Sequence, residues 1–334
     1  MASLDRDPFG EHATMQHRGR FDVLGVRIFA RSNSRRLLAL FEEAFGSLPP
    51  HGLGAAAPHI DLTLSLSPAI APRRREVPRL RMRSGAGFLS GVIDANNFVM
   101  VSAEQRRALI CVDRGMLAFP YHVRYELMEF AIYTLVPRVL GLVPLHGAAV
   151  ASHGRALLLT GPTGSGKSTA FLSCALSGFD LLSEDSVFLE PRSLRTTGCA
   201  NFLHLRTDGM KTVRDPGLRA AIRRSPVIRR RSGVRKFEYD LRHSSMRVAP
   251  RAPRLTAVIA LSSRRARGTQ LLEPLSPAQA LAWLRREQPY ACTQPSWDDF
   301  CRSLEGVPAY RLLRGKHPED AADALRGLLS ARRP

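Results

Sequence analysis

The stretch that decides the fold runs from Arg155 to Leu189. It opens Arg155-Ala-Leu-Leu-Leu-Thr-Gly161-Pro-Thr-Gly-Ser-Gly-Lys167-Ser-Thr and closes Gly178-Phe-Asp-Leu-Leu-Ser-Glu184-Asp185-Ser-Val-Phe-Leu189. Residues 161–168 fit the spacing G-x-x-x-x-G-K-[ST]. The apolar run Ala156–Leu159 reads as a buried strand, and Ser168–Leu176 as a helix that stops at Gly178. A glycine loop between such a strand and helix turns backbone N–H groups toward an anion, and the helix dipole adds to their pull. Gly161, Pro162, Thr163, Gly164, Ser165, Gly166, Lys167, Ser168 and Thr169 are therefore the candidate nucleotide-binding residues. Lys167 is expected to reach the β and γ phosphates of ATP, and the Ser168 hydroxyl to ligate Mg²⁺.

Downstream, Phe179–Ser183 reads as the next strand, so Glu184 and Asp185 fall where it leaves the core. In open α/β sheets ligands bind beyond the carboxyl ends of the parallel strands, which brings both carboxylates toward the phosphates. One carboxylate suits a metal ligand and the other a proton acceptor, although an acidic pair also suits a solvated turn. Upstream, Leu145–Ala151 reads as a strand joined to the loop strand by a turn centred between His153 and Gly154. That register sets His146 opposite Gly161, at the mouth of the phosphate loop. His122 and His153 are read as structural.

The chain has 334 residues, long for a single core, and 44% hydrophobic with 7% aromatic content is ordinary for a globular protein. The net charge of +20 is not ordinary. It favours an anionic partner, or it is a solvated arginine-rich surface. Five cysteines without C-x-x-C spacing argue against a disulfide framework or a structural zinc site and for a reducing compartment. Residues 1–20 lack a secretory apolar segment and read as a disordered tail. The most apolar stretch, Leu127–Val150, is broken by Glu129, Pro137, Arg138 and Pro144, so no membrane span is expected. The expected location is cytoplasmic.

Phe21–Ala30 reads as a strand and Ser34–Phe45 as a helix. Ile60–Leu66 alternates as a half-buried strand, and after the basic segment Pro72–Pro78 come strands at Leu80–Arg83, Phe88–Ile93, Asn97–Ser102 and Ala108–Val112. The front section is thus expected to be antiparallel and strand-rich. A long helix with an apolar stripe at Tyr125, Met128, Ile132, Leu135 and Val139 follows, expected to dock that section onto the second half.

His-Gly on a strand, a phosphate loop, and Gly178-Phe-Asp-Leu-Leu-Ser-Glu184-Asp185 together resemble the carboxy-terminal catalytic domain of the HPr kinase/phosphorylase family. The similarity is strongest over Leu145–Leu189 and weaker onward through strands at Leu255–Leu261 and Ala309–Leu313 to a helix at Pro318–Leu329. It implies an α/β P-loop kinase core related to phosphoenolpyruvate carboxykinase, preceded by a smaller strand-rich α+β section. The implied domains are a tail at 1–20, a strand-rich domain at 21–123 and a catalytic domain at 124–334. The implied activity is transfer of the γ-phosphate of ATP, with Mg²⁺, to a serine on a protein or peptide such as a precursor peptide or an HPr-like protein. By correspondence His146 is the active-site histidine, Lys167 and Ser168 the loop pair, and Asp185 the general base. Glu184 stands where the family has the first aspartate of a pair, and is the expected second metal ligand with Ser168. The family's later Glu-x-Arg-Gly is missing, with Arg206, Asp208 and Lys211 near that distance. The resemblance also allows a homo-oligomer.

The segment Arg223–Lys236, with six arginines and one lysine, reads as a long loop that either attracts an anion or is simply solvated. Without interleaved aromatics it offers nothing for base stacking, so no nucleic-acid partner is expected. Two functional classes remain: a serine kinase, and an ATP-binding or ATPase regulatory module that transfers nothing.

Overall fold

The computed structural model describes residues 13–54, 57–67 and 76–330. Part of the basic segment 72–78 and most of the expected tail lie outside them. The chain divides into two compact units, one of Met1–Asp22, Val26–Gly46 and Ala57–Val139, the other of Val23–Gly25, Ser47–Ala56 and Leu140–Pro334.

The first unit is built on a seven-stranded sheet of β1 (His17–Val23), β2 (Val26–Ser32), β3 (His59–Leu66), β4 (Arg81–Gly85), β5 (Phe88–Asp94), β6 (Asn97–Ser102) and β7 (Arg107–Val112), in the order β1-β2-β3-β7-β6-β5-β4. The expected single strand Phe21–Ala30 is two, divided at Leu24 and Gly25, both at positive φ. β1 begins at His17, inside the stretch read as a tail. The sheet is also mixed rather than antiparallel. β2 pairs with β3 and β3 with β7 in parallel, because α1 (Arg35–Phe45) supplies the crossover between β2 and β3. Ser34 caps that helix, its Oγ accepting from Leu37 N. The expected long helix is a run of α2 (Pro120–His122), a π-helical stretch (Val123–Met128) and α3 (Glu129–Leu140). It falls with the first unit as far as Val139, past the boundary expected after residue 123.

The second unit holds a six-stranded sheet and two three-stranded sheets. In chain order its elements are β8 (Val143–His146), β9 (Ala148–Ser152), β10 (Arg155–Thr160), α4 (Lys167–Leu176), β11 (Asp180–Ser183), β12 (Ser186–Leu189), β13 (Thr196–Gly198) and β14 (Phe202–Leu205). They continue with α5 (Pro216–Arg224), β15 (Val227–Arg229), β16 (Arg235–Asp240), β17 (Arg254–Arg265), β18 (Leu272–Leu275), α6 (Pro277–Glu287), α7 (Trp297–Leu304), β19 (Ala309–Arg314) and α8 (Glu319–Ser330). The large sheet has the order β11-β9-β10-β17-β19-β18. β10 is parallel to β17, and β17 to β19. β11 and β10 are each antiparallel to β9, so β11 runs with them.

β10 reads as an unbroken apolar run because both its faces are covered. Leu157 and Leu159 join one core with Phe171 and Leu172 of α4 and Leu325 of α8. Ala156 and Leu158 join another with Leu284 of α6 and Trp297 and Phe300 of α7. Helices therefore cover both faces of the sheet, and its free edge at the carboxyl ends of β10 and β11 is where the loop and the acidic pair emerge. All five cysteines are free thiols. Among the described residues no helix is long and apolar enough to cross a membrane.

Candidate functional site

The turn into α4 is the glycine loop. Gly164 and Gly166 have φ of 83° and 104°, which only glycine adopts readily, and Gly166 is the N-cap. Gly161 is required for a different reason: a Cβ there would stand 2.9 Å from Ser165 Oγ and 3.1 Å from Leu261 O. Lys167 Nζ donates to Gly161 O at 2.6 Å and lies 3.4 Å from Pro162 O, so the ammonium is folded back over the loop. Burial lowers its pKa, with Asp185 and Glu287 acting in opposition. Ser165 is buried, and its Oγ has no hydrogen-bond partner. An orphaned hydroxyl within this glycine loop fits a phosphate held there. A cleft of about 350 Å³ opens beside it, lined by Ser165, Gly166 and Thr169 on one side and by Leu261, Leu312 and Lys316 on the other.

His146 arrives at this edge by a route the sequence disguises. The expected turn is correct: Ser152 pairs with Arg155 and Ala148 with Leu159. The strand is not continuous, however. It breaks at Gly147, and β8 leaves β9's sheet to pair with β12, setting His146 opposite Ser186 rather than Gly161. A Cβ on Gly147 would lie 2.7 Å from Leu159 O, so the break depends on a glycine passing close over β10. Gly147 N donates to Asp185 O at 3.0 Å. The result is that His146 Nδ1 lies 3.3 Å from Asp185 Oδ1, with both side chains about half exposed.

The buried Gln288 side chain fixes that arrangement and was not singled out by any motif. Its Oε1 accepts from His146 N at 2.7 Å, and its Nε2 donates to His146 O at 2.8 Å and to Thr160 Oγ1 at 3.0 Å. One amide therefore ties the end of β8 to the end of β10. A lone glutamine at the end of a helix carries no sequence signal, because its importance lies in what the fold brings to it.

Glu184 is the residue expected to share a metal ion with Ser168. It is buried, and its Oε2 accepts from His204 N at 2.9 Å and lies 3.4 Å from His204 Nδ1. His204 Nε2 in turn lies 3.4 Å from Glu238 Oε1. Burial alone would push the Glu184 carboxyl up, but the hydrogen bond and charge of His204 outweigh it and hold it below the usual glutamate range. Burial likewise disfavours the His204 imidazolium, yet Glu184 and Glu238 raise its pKa above the ordinary value. Glu184 is thus tied to β14 through His204. Among the described residues no cluster of three or more His, Cys, Asp or Glu is arranged to hold a metal ion. The weak candidates Arg206 and Asp208 pair with each other at 3.2 Å on the surface.

The arginine-rich segment is not a long loop. Arg223 and Arg224 end α5, and Val227–Asp240 forms the β15–β16 hairpin, turning through Gly233 at a φ of 80°.

No family model and no curated protein matches the chain. Solved structures similar to it include the Hpr(Ser) kinase/phosphatase from Coxiella burnetii, at 10% sequence identity, covering 55% of this chain and 94% of that one with a TM-score of 0.25. A likeness of that depth carries no argument, and the functional reading rests on the residues themselves.

Proposed function

We propose that the chain is an ATP-dependent kinase that transfers the terminal phosphoryl group to a serine hydroxyl of a protein or peptide. The observation that carries this reading is the pairing of His146 with Asp185 at 3.3 Å on the sheet edge from which the glycine loop also emerges. A module that only held nucleotide would need the loop but not an exposed, oriented carboxylate beside it.

In this reading the backbone N–H groups of residues 163–168 hold the phosphates, and Lys167 swings from Gly161 O to the γ-phosphate. Mg²⁺ held at the Ser168 hydroxyl would neutralise phosphate charge when bound. Asp185 accepts the serine proton as the serine oxygen forms its bond to the γ-phosphorus and the bond to the β–γ bridging oxygen breaks, releasing ADP. His146 orients Asp185. The serine, the protein or peptide acceptor and the role of Asp185 as base come from the family resemblance, and the His146–Asp185 contact supports the last of these.

The test is Asp185→Asn, which keeps the shape and removes the basic oxygen. Transfer of labelled γ-phosphate to serine-bearing peptides should fall by at least ~10², with nucleotide affinity by calorimetry within about threefold of wild type. Undiminished transfer removes Asp185 from the role of base. Hydrolysis of ATP by the wild-type chain with no transfer to any serine acceptor favours the regulatory ATPase.

A further inference from the structure

The seven-stranded sheet of the first unit has one covered face and one open face. Side chains alternate along each strand, and Ile28, Ile60, Ile110 and Val99 share the covered face, all fully buried. Phe21 meets Phe41 of α1 on that side, with ring centroids 5.0 Å apart. The open face falls into rungs that cross several strands. Phe29 stands opposite Asp61, Asp61 opposite Arg107, Arg107 opposite Ser102 and Ser102 opposite Phe88. The next rung runs through Arg31, Thr63, Leu109, Met100, Ser90 and Arg83. With strands about 4.8 Å apart, the two rungs are about 19 Å and about 24 Å long.

Phe29, Phe88 and Met100 are 44%, 38% and 36% exposed on this face. Single exposed apolar side chains are ordinary, but several gathered on one face mark an interaction surface. The face is also basic. Arg27 and Arg31 flank Phe29 along β2, Arg81 and Arg83 line the β4 edge, and Arg18 and Arg20 are exposed on the β1 edge. Against them stand Asp22, 3.6 Å from Arg27, and Asp61, 3.7 Å from Arg107. Asp94 is occupied in its own turn by Asn96 and Asn97. Positive charge therefore exceeds negative across the face, and it is dispersed between the rings rather than set apart from them.

An interface with a folded protein keeps charge out of its apolar centre. Rings interleaved with guanidinium groups suit instead a chain in which flat apolar groups and negative charges alternate. A duplex keeps its base faces stacked and out of reach, whereas a single strand offers them. We propose that the open face of this sheet binds single-stranded nucleic acid, with bases stacked on Phe29 and Phe88 and phosphates held by Arg31 and Arg83. The longer rung spans about four nucleotides, the lower end of site sizes for sheet-borne sites of this kind. Exposed rings among arginines are what the segment 223–236 lacks, so the two basic regions of the chain differ in kind. The site lies in the first unit and does not rest on the kinase reading.

The experiment measures fluorescence anisotropy of a labelled, mixed-sequence RNA strand of about twelve nucleotides, and of its DNA counterpart, with the full chain at about 0.1 M salt. It compares wild type with two double variants, Phe29→Leu with Phe88→Leu and Arg31→Gln with Arg83→Gln. A control, Arg223→Gln with Arg224→Gln on α5, removes the same charge elsewhere. Both test variants should weaken binding by at least about tenfold, with the control within about twofold of wild type. The arginine variant should also flatten the fall of affinity with salt by about two phosphate contacts, and the leucine variant should leave that slope unchanged. Phe29→Tyr with Phe88→Tyr keeps the rings and should bind as wild type does. All these positions are on the surface, so every variant should melt within a few degrees of wild type. Tighter binding of RNA than of DNA, or the reverse, supports the proposal and identifies the source of the strand. Equal weakening in the control reduces the effect to net charge and overturns the proposal. So does a duplex that binds as tightly as the strand, or displacement by ATP, which assigns the strand to the glycine loop. Displacement by polyglutamate of matched charge makes the ligand an acidic peptide and overturns it too, as does a wild-type chain that binds neither strand.

Discussion

His146 Nδ1 and Asp185 Oδ1 are 3.3 Å apart, held there by the pairing of β8 with β12. Neither side chain is buried, so the pair adds little to stability and its value lies in fixing a carboxylate rotamer. His146→Ala should therefore leave the melting temperature nearly unchanged and lower phosphotransfer by at least about tenfold, with nucleotide affinity preserved. Calorimetry and a transfer assay on one preparation check it. An equal loss of nucleotide binding would make His146 a ligand of the nucleotide instead.

Gln288→Leu strips three hydrogen bonds from a buried site and leaves the N–H and C=O of His146 without their partner. Orphaned buried groups of this kind cost about 1–3 kcal/mol each. A destabilisation of about 2 kcal/mol or more in urea unfolding is expected, together with a fall in the turnover rate that exceeds any rise in nucleotide KM. Loss of stability with normal turnover would show that His146 finds its place without the clamp.

Gly147→Ala puts a methyl group 2.7 Å from Leu159 O, and backbone cannot yield as a side-chain tip can. Overpacking typically costs about 1–3 kcal/mol, and relief here requires β8 to move and to carry His146 with it. Both stability and transfer should drop. A fully active, fully stable variant would mean that the close approach over β10 is not needed.

The buried Glu184–His204–Glu238 chain predicts a pH signature. Glu184 is held below its ordinary range, so its contribution is present above the unfolded value of about 4.3 and is lost as pH falls through the lower folded value. His204 is raised, so its contribution is complete below about 6.5 and is lost as pH climbs through the higher folded value. The chain therefore stabilises most between those two values. His204→Gln should destabilise by about 3 kcal/mol near pH 6, and by less at pH 9, where wild type has lost part of the same contribution. Denaturant midpoints at the two pH values check this, and a pH-independent difference would refute the charged pairing.

Much of the second unit is legible in the sequence, because local rules govern it. The loop's glycines, Lys167 at the start of α4, the Gly178 stop and the β9–β10 turn each follow from spacing and backbone preference over a few residues. Strands at Leu255–Leu261 and Ala309–Leu313, placed through the family resemblance, stand as β17 and β19. What the tertiary structure decided depends on which distant segments meet. The break at Gly147 sends His146 to Asp185 by way of β12, and Gln288 secures it from 142 residues away. Glu184 and Asp185 are identical in kind and adjacent in the chain, yet one is buried against His204 and the other half exposed beside His146. No sequence pattern separates them, because the difference is made by β14, whose pairing with β16 fixes where His204 stands. The arginine segment became a hairpin for the same reason: its apolar positions Val227, Ile228 and Phe237 are too few to announce a strand until a neighbouring strand satisfies their backbone groups.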